Sequence, residues 1–302
     1  MNSIREFTFE KNCLVITSSG AKSRGWLDYL DIRDYQIFDS VEPNPSMETV
    51  EKILSEYNQT FSYVIGLGGG SSLDVAKFVA NKLKTKKILI PTTFGSGSEV
   101  TRISVLQIDG KKTSFHSDDL FADISIIDPY FIKDAPFEII KNSAIDACAQ
   151  CTEAFDSKLA NIYTKFLCEK AFNILEKALI DETYENLAYG AMISGLGFGN
   201  SSTTLGHALS YVYSNEGITH GHALAFTTTV AHKFNHSKFY KRFIQLVQKL
   251  EFSNISLSQS LDKSAELILT DRKHLDNNIK EVTKNDIINL LEIINSNKTF
   301  LQ

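Results

Sequence analysis

Two glycine-rich segments, each at the end of a short strand-like run, constrain this chain more than any other feature of its sequence. Residues 66–77 read GLGGGSSLDVAK, and residues 91–101 read PTTFGSGSEVT. Consecutive glycines between a strand and a helix let the backbone approach a ligand closely, and the free N–H groups at the helix start favour a phosphate. Because the first segment lacks the Gly-Lys-Ser/Thr ending of a P-loop, a dinucleotide fits it better than a nucleoside triphosphate. The alternative interpretation is that both segments are tight turns that bind no ligand.

The first third of the chain alternates between strand-like and helix-like segments. The predicted strands cover residues 14–17, 35–38, 63–67, 87–91, 103–108 and 124–127, and predicted helices cover residues 46–57 and 73–84. Repeats of strand, helix and strand predict a parallel sheet with helices on its faces. In such a sheet both glycine-rich turns lie at the carboxyl edge, where ligands of open α/β folds bind.

After residue 136 the apolar residues recur at helical spacing and no convincing strand follows. Predicted helices cover residues 139–155, 163–179, 184–198, 205–213 and 285–294. The change of period predicts two domains, an α/β domain over residues 1–133 and an all-α domain over residues 134–302. The segment between Asp262 and the last helix is expected to be a loop.

The overall charge favours a protein that acts on small molecules. The formal net charge of −5 argues against binding to nucleic acid or to an anionic membrane, since both require a cationic surface. No stretch approaches the length of a membrane span, and residues 1–6 lack the apolar core of a signal peptide. With four scattered cysteines, the chain is expected to be cytoplasmic.

A candidate metal site is spread over the helical half. Asp146 and Gln150 are four residues apart, which places them on one face of a helix, and Glu153 shares part of that face. Downstream, His207 lies in an apolar helical stretch and His220 begins a further helix. One carboxylate and two imidazoles suit a catalytic divalent ion, either Zn²⁺ or Fe²⁺. The alternative interpretation is that His207 and His220 are ordinary core or surface residues. We expect that role for four other histidines, His116, His232, His236 and His274.

Taken in order, these segments resemble the iron-containing (group III) alcohol dehydrogenases and their relatives, the glycerol dehydrogenases and dehydroquinate synthases. The matching segments are residues 66–77, 91–101, 128–129, 146–147, 207–208, 220–221 and 281–287. The resemblance implies a dehydroquinate synthase-like fold, with a Rossmann-like dinucleotide domain, a helical metal-binding domain and an active site in the cleft between them. The helical domain is shorter than is usual in the family. Gln150 in combination with residues 203–211 and 220–223 looks more like the phosphonoacetaldehyde reductase branch than the simple alcohol enzymes.

The resemblance also implies roles for individual residues. The expected metal ligands are Asp146, Gln150, His207 and His220, and the expected cofactor-binding residues are Ser18, Lys22, Gly68, Gly69, Gly70, Ser71, Asp74, Thr92, Thr93 and Ser96. Among these, the glycines match the pyrophosphate loop of the family, and the two threonines match positions beside the nicotinamide and ribose.

Three positions depart from the family pattern. Gln150 replaces a histidine ligand of the iron-dependent members, so the site has either three strong ligands or a weak amide fourth. Tyr211 replaces a further histidine near the reacting centre. Ser18 replaces the aspartate of NAD-preferring members, and with Lys22 and Arg24 nearby it favours NADPH over NADH.

The expected activity is reversible hydride transfer between a nicotinamide cofactor and a small aldehyde or alcohol, such as a phosphonoacetaldehyde-like one. His222 or Tyr211 is expected to relay the proton, because both are close in sequence to expected ligands. A dehydroquinate synthase-like cyclase and a degenerate nucleotide-binding protein are the alternatives, the second because of Gln150 and the shortened tail. A homodimer is one option for the assembly.

Overall fold

A computed structural model describes residues 7–299, which form two compact units divided between Ala135 and Pro136. Residues 1–6, to which the expectation about a signal peptide refers, lie outside the described residues, as do residues 300–302. The elements of the first unit are β1 (Cys13–Thr17), α1 (Gly20–Ser23), α2 (Trp26–Tyr29), β2 (Tyr35–Phe38), α3 (Met47–Glu56), β3 (Tyr63–Gly68), α4 (Gly70–Leu83), β4 (Lys86–Pro91), β5 (Ile103–Ile108), β6 (Lys111–His116) and β7 (Ile124–Ser125).

Five strands of the first unit form a parallel sheet in the order β2-β1-β3-β4-β7. The chain runs from β1 to β2 on one side and returns to β3 on the other, so the topological switch point lies between β1 and β3. Both faces of the sheet are buried. Leu14 and Ile16 pack in one apolar cluster with Val50 of α3, and Val15 packs on the opposite face with Trp26 of α2. Burial on both faces explains why these strands read as continuous apolar runs.

The predicted strand at residues 103–108 is present as β5, but it belongs to a separate hairpin with β6. The two residues between them, Asp109 and Gly110, have φ angles of 50° and 73°. Positive φ at both central residues is what a two-residue type I′ hairpin turn requires. Strand β6 was not predicted, because its residues KKTSFH are mostly polar.

In the described residues of the second unit, every element of regular secondary structure is a helix. This confirms the predicted combination of an α/β part and an all-α part. Its helices are α5 (Phe137–Asp156), α6 (Ile162–Ile180), α7 (Leu187–Ser201), α8 (Leu205–Asn215), α9 (His220–Asn235), α10 (Tyr240–Lys249), α11 (Leu261–Leu269), α12 (Arg272–Asn277) and α13 (Lys284–Asn295). The expected loop after Asp262 is wrong, because α11 and α12 occupy it. Ala265 and Ile268 of α11 are buried, so this helix has an apolar face although the surrounding sequence is rich in polar residues. Over residues 7–299, no helix is both long and apolar enough to cross a bilayer.

Candidate metal and cofactor sites

The first glycine-rich turn connects β3 to α4. Gly68 has a φ of +156°, and a Cβ atom there would lie 2.7 Å from Ser72 Oγ, so the turn excludes a side chain at this position. Gly69, the N-cap of α4, has no side chain with which to satisfy the first N–H groups of the helix. These donors and the positive end of the helix dipole make the start of α4, with Gly70 and Ser71, suitable for a phosphate.

The second glycine-rich turn packs directly against the first. The backbone N–H of Thr92 donates to the carbonyl oxygen of Gly68 at 2.9 Å. A Cβ atom at Gly69 would lie 3.1 Å from Thr93 Oγ1, and one at Gly70 would lie 2.9 Å from Ser96 Oγ. The hydroxyls of the second turn therefore line the backbone of the first, and side chains on the glycines would separate the two.

Ser18 and Lys22 follow β1 at the same edge of the sheet. Thr17 pairs with Leu67 across the switch point, so Ser18 and Gly68 leave adjacent strands at the same level. Lys22 Nζ lies 3.1 Å from Asp39 Oδ2, directly after β2. The Lys22 ammonium is thereby held near this edge by a carboxylate.

Asp74 lies behind the second turn. Its carboxylate accepts hydrogen bonds from Ser98 Oγ at 2.5 Å and from the backbone N–H of Val105 at 3.0 Å. Burial raises the pKa of this carboxyl. Asp74 thus connects α4 to the second turn and to β5, and its expected contact with the cofactor stays a prediction.

Lys77, one helical turn after Asp74, is fully buried. Its ammonium donates to the carbonyl oxygens of Thr101 and Ile103 at 2.9 and 2.7 Å. Burial lowers its pKa to about 8, and the nearby Asp74 carboxylate opposes that shift. Lys77 and Asp74 together hold the second turn against α4.

Asp146, His207 and His220 converge in the second unit from three helices, α5, α8 and α9. One potential ligand atom of each lies within 4.8 Å of the others. Nε2 of His207 and Nε2 of His220 are each 3.9 Å from Asp146 Oδ1. The start of α9 is held by Thr219, whose hydroxyl donates to Asn142 Oδ1 at 2.8 Å. This arrangement could hold a divalent cation with an open coordination position.

Gln150 lies one turn after Asp146 and is 6% exposed. Its Nε2 donates to Asp146 Oδ1 at 2.9 Å. Its Oε1 is a buried oxygen for which the described part of the chain provides no hydrogen-bond partner. Because buried polar atoms nearly always have a partner, this orphaned oxygen fits a site completed by a bound cation.

Glu153 is a buried carboxylate on α5, two turns after Asp146. It accepts hydrogen bonds from Thr204, His207 and Thr228. Burial opposes its ionisation, but the charge and hydrogen bond of His207 outweigh burial and hold its pKa at about 2. Burial likewise opposes the charged form of His207, and Glu153 nevertheless raises the pKa of that imidazole. The sequence places Glu153 on the helix face of Asp146, but only the fold shows its partners.

Tyr211 and His274 border the cluster. The Tyr211 ring centroid is 6.5 Å from that of His220, and the His274 centroid is 6.2 Å from that of His207 and 5.9 Å from that of Tyr211. Asp271 Oδ2 lies 2.7 Å from His274 Nδ1. Burial raises the pKa of the Tyr211 phenol, and the negative charge of Asp271 raises it further. His274, expected to be an ordinary core or surface residue, is buried beside the cluster.

His222 is not part of the cluster. Its Nε2 lies 2.6 Å from the carbonyl oxygen of Ser253, and its ring packs beside Phe226 and Phe252. Residues two apart on a helix point to nearly opposite sides, so closeness to His220 in sequence does not bring the two imidazoles together. A role for His222 in proton transfer stays a prediction that this geometry does not favour.

Comparison with known proteins identifies the family of the chain. Residues 2–129 match the family model for iron-containing alcohol dehydrogenase, and residues 140–269 match the C-terminal model of the same family. The 4-hydroxybutyrate dehydrogenase of Clostridium kluyveri is 31% identical over 258 residues, covering 72% of this chain and 70% of that protein. Long-chain-alcohol dehydrogenase 1 of Geobacillus thermodenitrificans is 31% identical, covering 71% of this chain and 64% of that protein.

A solved structure extends the similarity over nearly the whole chain. The iron-containing alcohol dehydrogenase of Thermotoga maritima is 27% identical and matches with a TM-score of 0.83, covering 98% of this chain and 94% of that one. The predicted resemblance is therefore confirmed, and the cyclase alternative is not better supported. The chain belongs to the iron-containing alcohol dehydrogenase family, and as a member it is an oxidoreductase that acts on CH–OH groups.

Proposed function

We propose that the chain interconverts small aldehydes and alcohols with a nicotinamide dinucleotide bound by the first unit and a divalent ion bound by the second. The single observation that carries the proposal is the convergence of Asp146, His207 and His220, from three different helices, to within 4.8 Å. The packing of the two glycine-rich turns against each other supports the cofactor part.

The donor set of the second unit fits a metal. One carboxylate and two imidazoles suit Fe²⁺ or Zn²⁺, and the orphaned Gln150 Oε1 is available as a fourth ligand atom. The family name favours iron. When bound, the ion supplies a Lewis acid that polarises the substrate carbonyl. The protein contributes the fixed positions of the three side chains, so that little rearrangement precedes reaction.

The carboxyl edge of the sheet in the first unit fits a dinucleotide. Gly68, Gly69, Gly70 and Ser71 are proposed to bind the pyrophosphate, and Thr92, Thr93 and Ser96 the ribose and carboxamide. When bound, the nicotinamide supplies the hydride. We infer a preference for NADPH from two features, the uncharged Ser18 and the cation of Lys22, although the Asp39 carboxylate that pairs with Lys22 opposes a 2′-phosphate.

Tyr211 is the better candidate for proton transfer. A tyrosine phenol is protonated near neutral pH, and the Tyr211 ring stacks beside that of His220, so it can donate a hydrogen bond to the oxygen of a substrate bound there. Tyr211→Phe should lower kcat more than KM is raised, and His222→Ala should leave both nearly unchanged. Equal pH–rate profiles for Tyr211→Phe and the wild type would remove Tyr211 from the mechanism.

The substrate class is tested by a screen of small aldehydes, including phosphonate and sugar-derived ones, with NADPH and NADH. The screen is run with Zn²⁺ and, anaerobically, with Fe²⁺, alongside metal analysis and a cofactor-binding titration. Oxidation of the cofactor by an aldehyde supports the proposal, and the phosphonate substrates test the proposed branch. Nucleotide binding without metal or turnover would favour the degenerate binding protein, and turnover with no net cofactor oxidation would favour the cyclase. Sedimentation tests the proposed homodimer.

A further inference from the structure

We propose that Glu153 is a positioning residue that fixes His207 with Nε2 directed to the metal and connects the three helices that carry the candidate ligands. This inference rests on the proposed function, because it concerns the metal site proposed there. It assigns a role to a buried charge that does not itself belong to the cluster of potential ligand atoms.

Glu153 forms hydrogen bonds to two neighbouring helices. It is 1% exposed and lies on α5, the helix of Asp146. Its Oε2 accepts from the backbone N–H and the hydroxyl of Thr204, the N-cap of α8, at 2.7 and 3.0 Å. Its Oε1 accepts from the hydroxyl of Thr228 on α9 at 3.0 Å. Since α5, α8 and α9 each carry one candidate ligand, a single carboxylate connects all three.

The same carboxylate determines which nitrogen of His207 is available. Nδ1 of His207 lies 3.2 Å from Glu153 Oε1. An ionised carboxylate can only accept hydrogen bonds, so Nδ1 carries the hydrogen, and in the neutral ring that a cation requires Nε2 keeps its lone pair. Nε2 is also the nitrogen that lies 3.9 Å from Asp146 Oδ1. A carboxylate behind the distal nitrogen of a ligating histidine fixes its tautomer and ring orientation.

Gly206 shows how closely α8 approaches this carboxylate. A Cβ atom at residue 206 would lie 2.2 Å from Glu153 Oε1 and 2.7 Å from Thr228 Oγ1. Any side chain at this position would displace the carboxylate from His207. Gly206, which directly precedes the candidate ligand His207, thus makes room for Glu153 because it has no side chain.

Glutamine at residue 153 has the same shape but a different hydrogen-bonding effect. The backbone N–H of Thr204 cannot rotate, so the amide oxygen must face Thr204 and the NH₂ group must face His207. Nδ1 would then have to accept a hydrogen bond, which moves the hydrogen to Nε2 and removes the lone pair that a cation needs. A carboxylate that only supported the fold would not produce this change.

The test compares the full-length wild type, Glu153→Gln and the control Glu138→Gln, which replaces a carboxylate that is 71% exposed on the same helix. Zn²⁺ affinity is measured by competition with a chromophoric chelator. The tautomer of His207 is read from long-range ¹H–¹⁵N spectra of the zinc-free chain in mildly alkaline solution. We expect Zn²⁺ binding to weaken about 10- to 100-fold in Glu153→Gln, with the hydrogen moving from Nδ1 to Nε2. The control should match the wild type in both measurements.

Unchanged Zn²⁺ affinity together with an unchanged His207 tautomer in Glu153→Gln would overturn the inference. If Glu153→Gln does not fold, the His207 tautomer of the wild type is the deciding measurement. A hydrogen on Nε2 of His207 in the wild type would also overturn the inference. A wild type that binds no Zn²⁺ or Fe²⁺ but keeps the hydrogen on Nδ1 would instead overturn the proposed function and leave the tautomer claim supported. The two failures are therefore distinguishable.

Discussion

A Cβ atom on Gly221 would lie 2.0 Å from the backbone carbonyl oxygen of Asn142, which is well inside van der Waals contact. Gly221 follows the candidate ligand His220, and Asn142 lies one turn before Asp146 on α5. The start of α9 can therefore reach the acidic ligand only because residue 221 has no side chain.

Gly221→Ala should push α9 away from α5 and lower the free energy of unfolding by about 1–3 kcal/mol, the usual cost of overpacking. Zn²⁺ affinity should fall as His220 moves. Denaturant unfolding and chelator competition measure the two effects. Gly20→Ala is the control, because the added methyl group meets only the flexible end of Arg24. Wild-type affinity in Gly221→Ala would show that His220 tolerates the shift.

Asp146→Ala should abolish retention of the metal, since it removes the only carboxylate among the three converging side chains. Metal content after dialysis is the measurement, and the exposed Asp134→Ala is the control. If metal content and turnover both survive in Asp146→Ala, the assignment of the ligands is wrong.

Gln150→His should strengthen Zn²⁺ binding about tenfold, equivalent to about 1.4 kcal/mol, because an imidazole is a better ligand than an amide oxygen. Gln150→Leu should weaken it by removing the buried oxygen altogether. The same competition assay measures both. Equal affinities in the two variants would mean that residue 150 does not face the ion.

Ser98→Ala should weaken dinucleotide binding without affecting the metal. It removes the hydroxyl that donates to the buried Asp74 carboxylate, at a cost of about 1–3 kcal/mol in the free energy of unfolding. Cofactor titration and Zn²⁺ competition separate the two sites. Ser55→Ala, at an exposed position of α3, is the control. A loss of Zn²⁺ affinity alone would contradict the prediction.

Ser18→Asp should shift the cofactor preference toward NADH, since a carboxylate at the end of β1 repels a 2′-phosphate and can accept from a ribose hydroxyl. Lys22→Ala should raise the KM for NADPH and leave that for NADH nearly unchanged. Ratios of kcat/KM for the two cofactors are the readout. A Ser18→Asp variant that keeps the wild-type ratio would show that residue 18 does not approach the ribose.

Short-range signals predicted the parts of the fold that depend on local patterns. The apolar runs ending at Thr17, Leu67 and Pro91 predicted three strands, and parallel pairing then placed the glycine-rich turns at one edge. The hairpin was missed although Asp109 and Gly110 form one of the strongest turn signals, because the polar strand after them has no apolar alternation. The helices α11 and α12 were missed because their short apolar faces are interrupted by charged residues.

The candidate site was less accessible from the sequence, because contacts between distant helices are not encoded in spacing. Asp146, His207 and His220 could be chosen by residue type and resemblance, but the partners of Glu153 depend on how α8 and α9 pack on α5. His274 reaches the cluster from α12, more than fifty residues beyond His220. His222 is close to His220 in sequence, but its imidazole contacts the carbonyl oxygen of Ser253, so nearness along the chain is a weak guide to which residues share a site.

The buried carboxylate that joins α5, α8 and α9 has a consequence for how an ion would be acquired. The unit around it has an extensive apolar core, unlike a zinc finger, whose chain folds only when metal arrives. The side chains of the proposed ligands are thus already held close together before an ion binds, so the protein should lose little conformational entropy on binding. Removing the ion with a chelator should therefore abolish turnover but leave the protein folded. Activity should return when the ion is added back, without a refolding step.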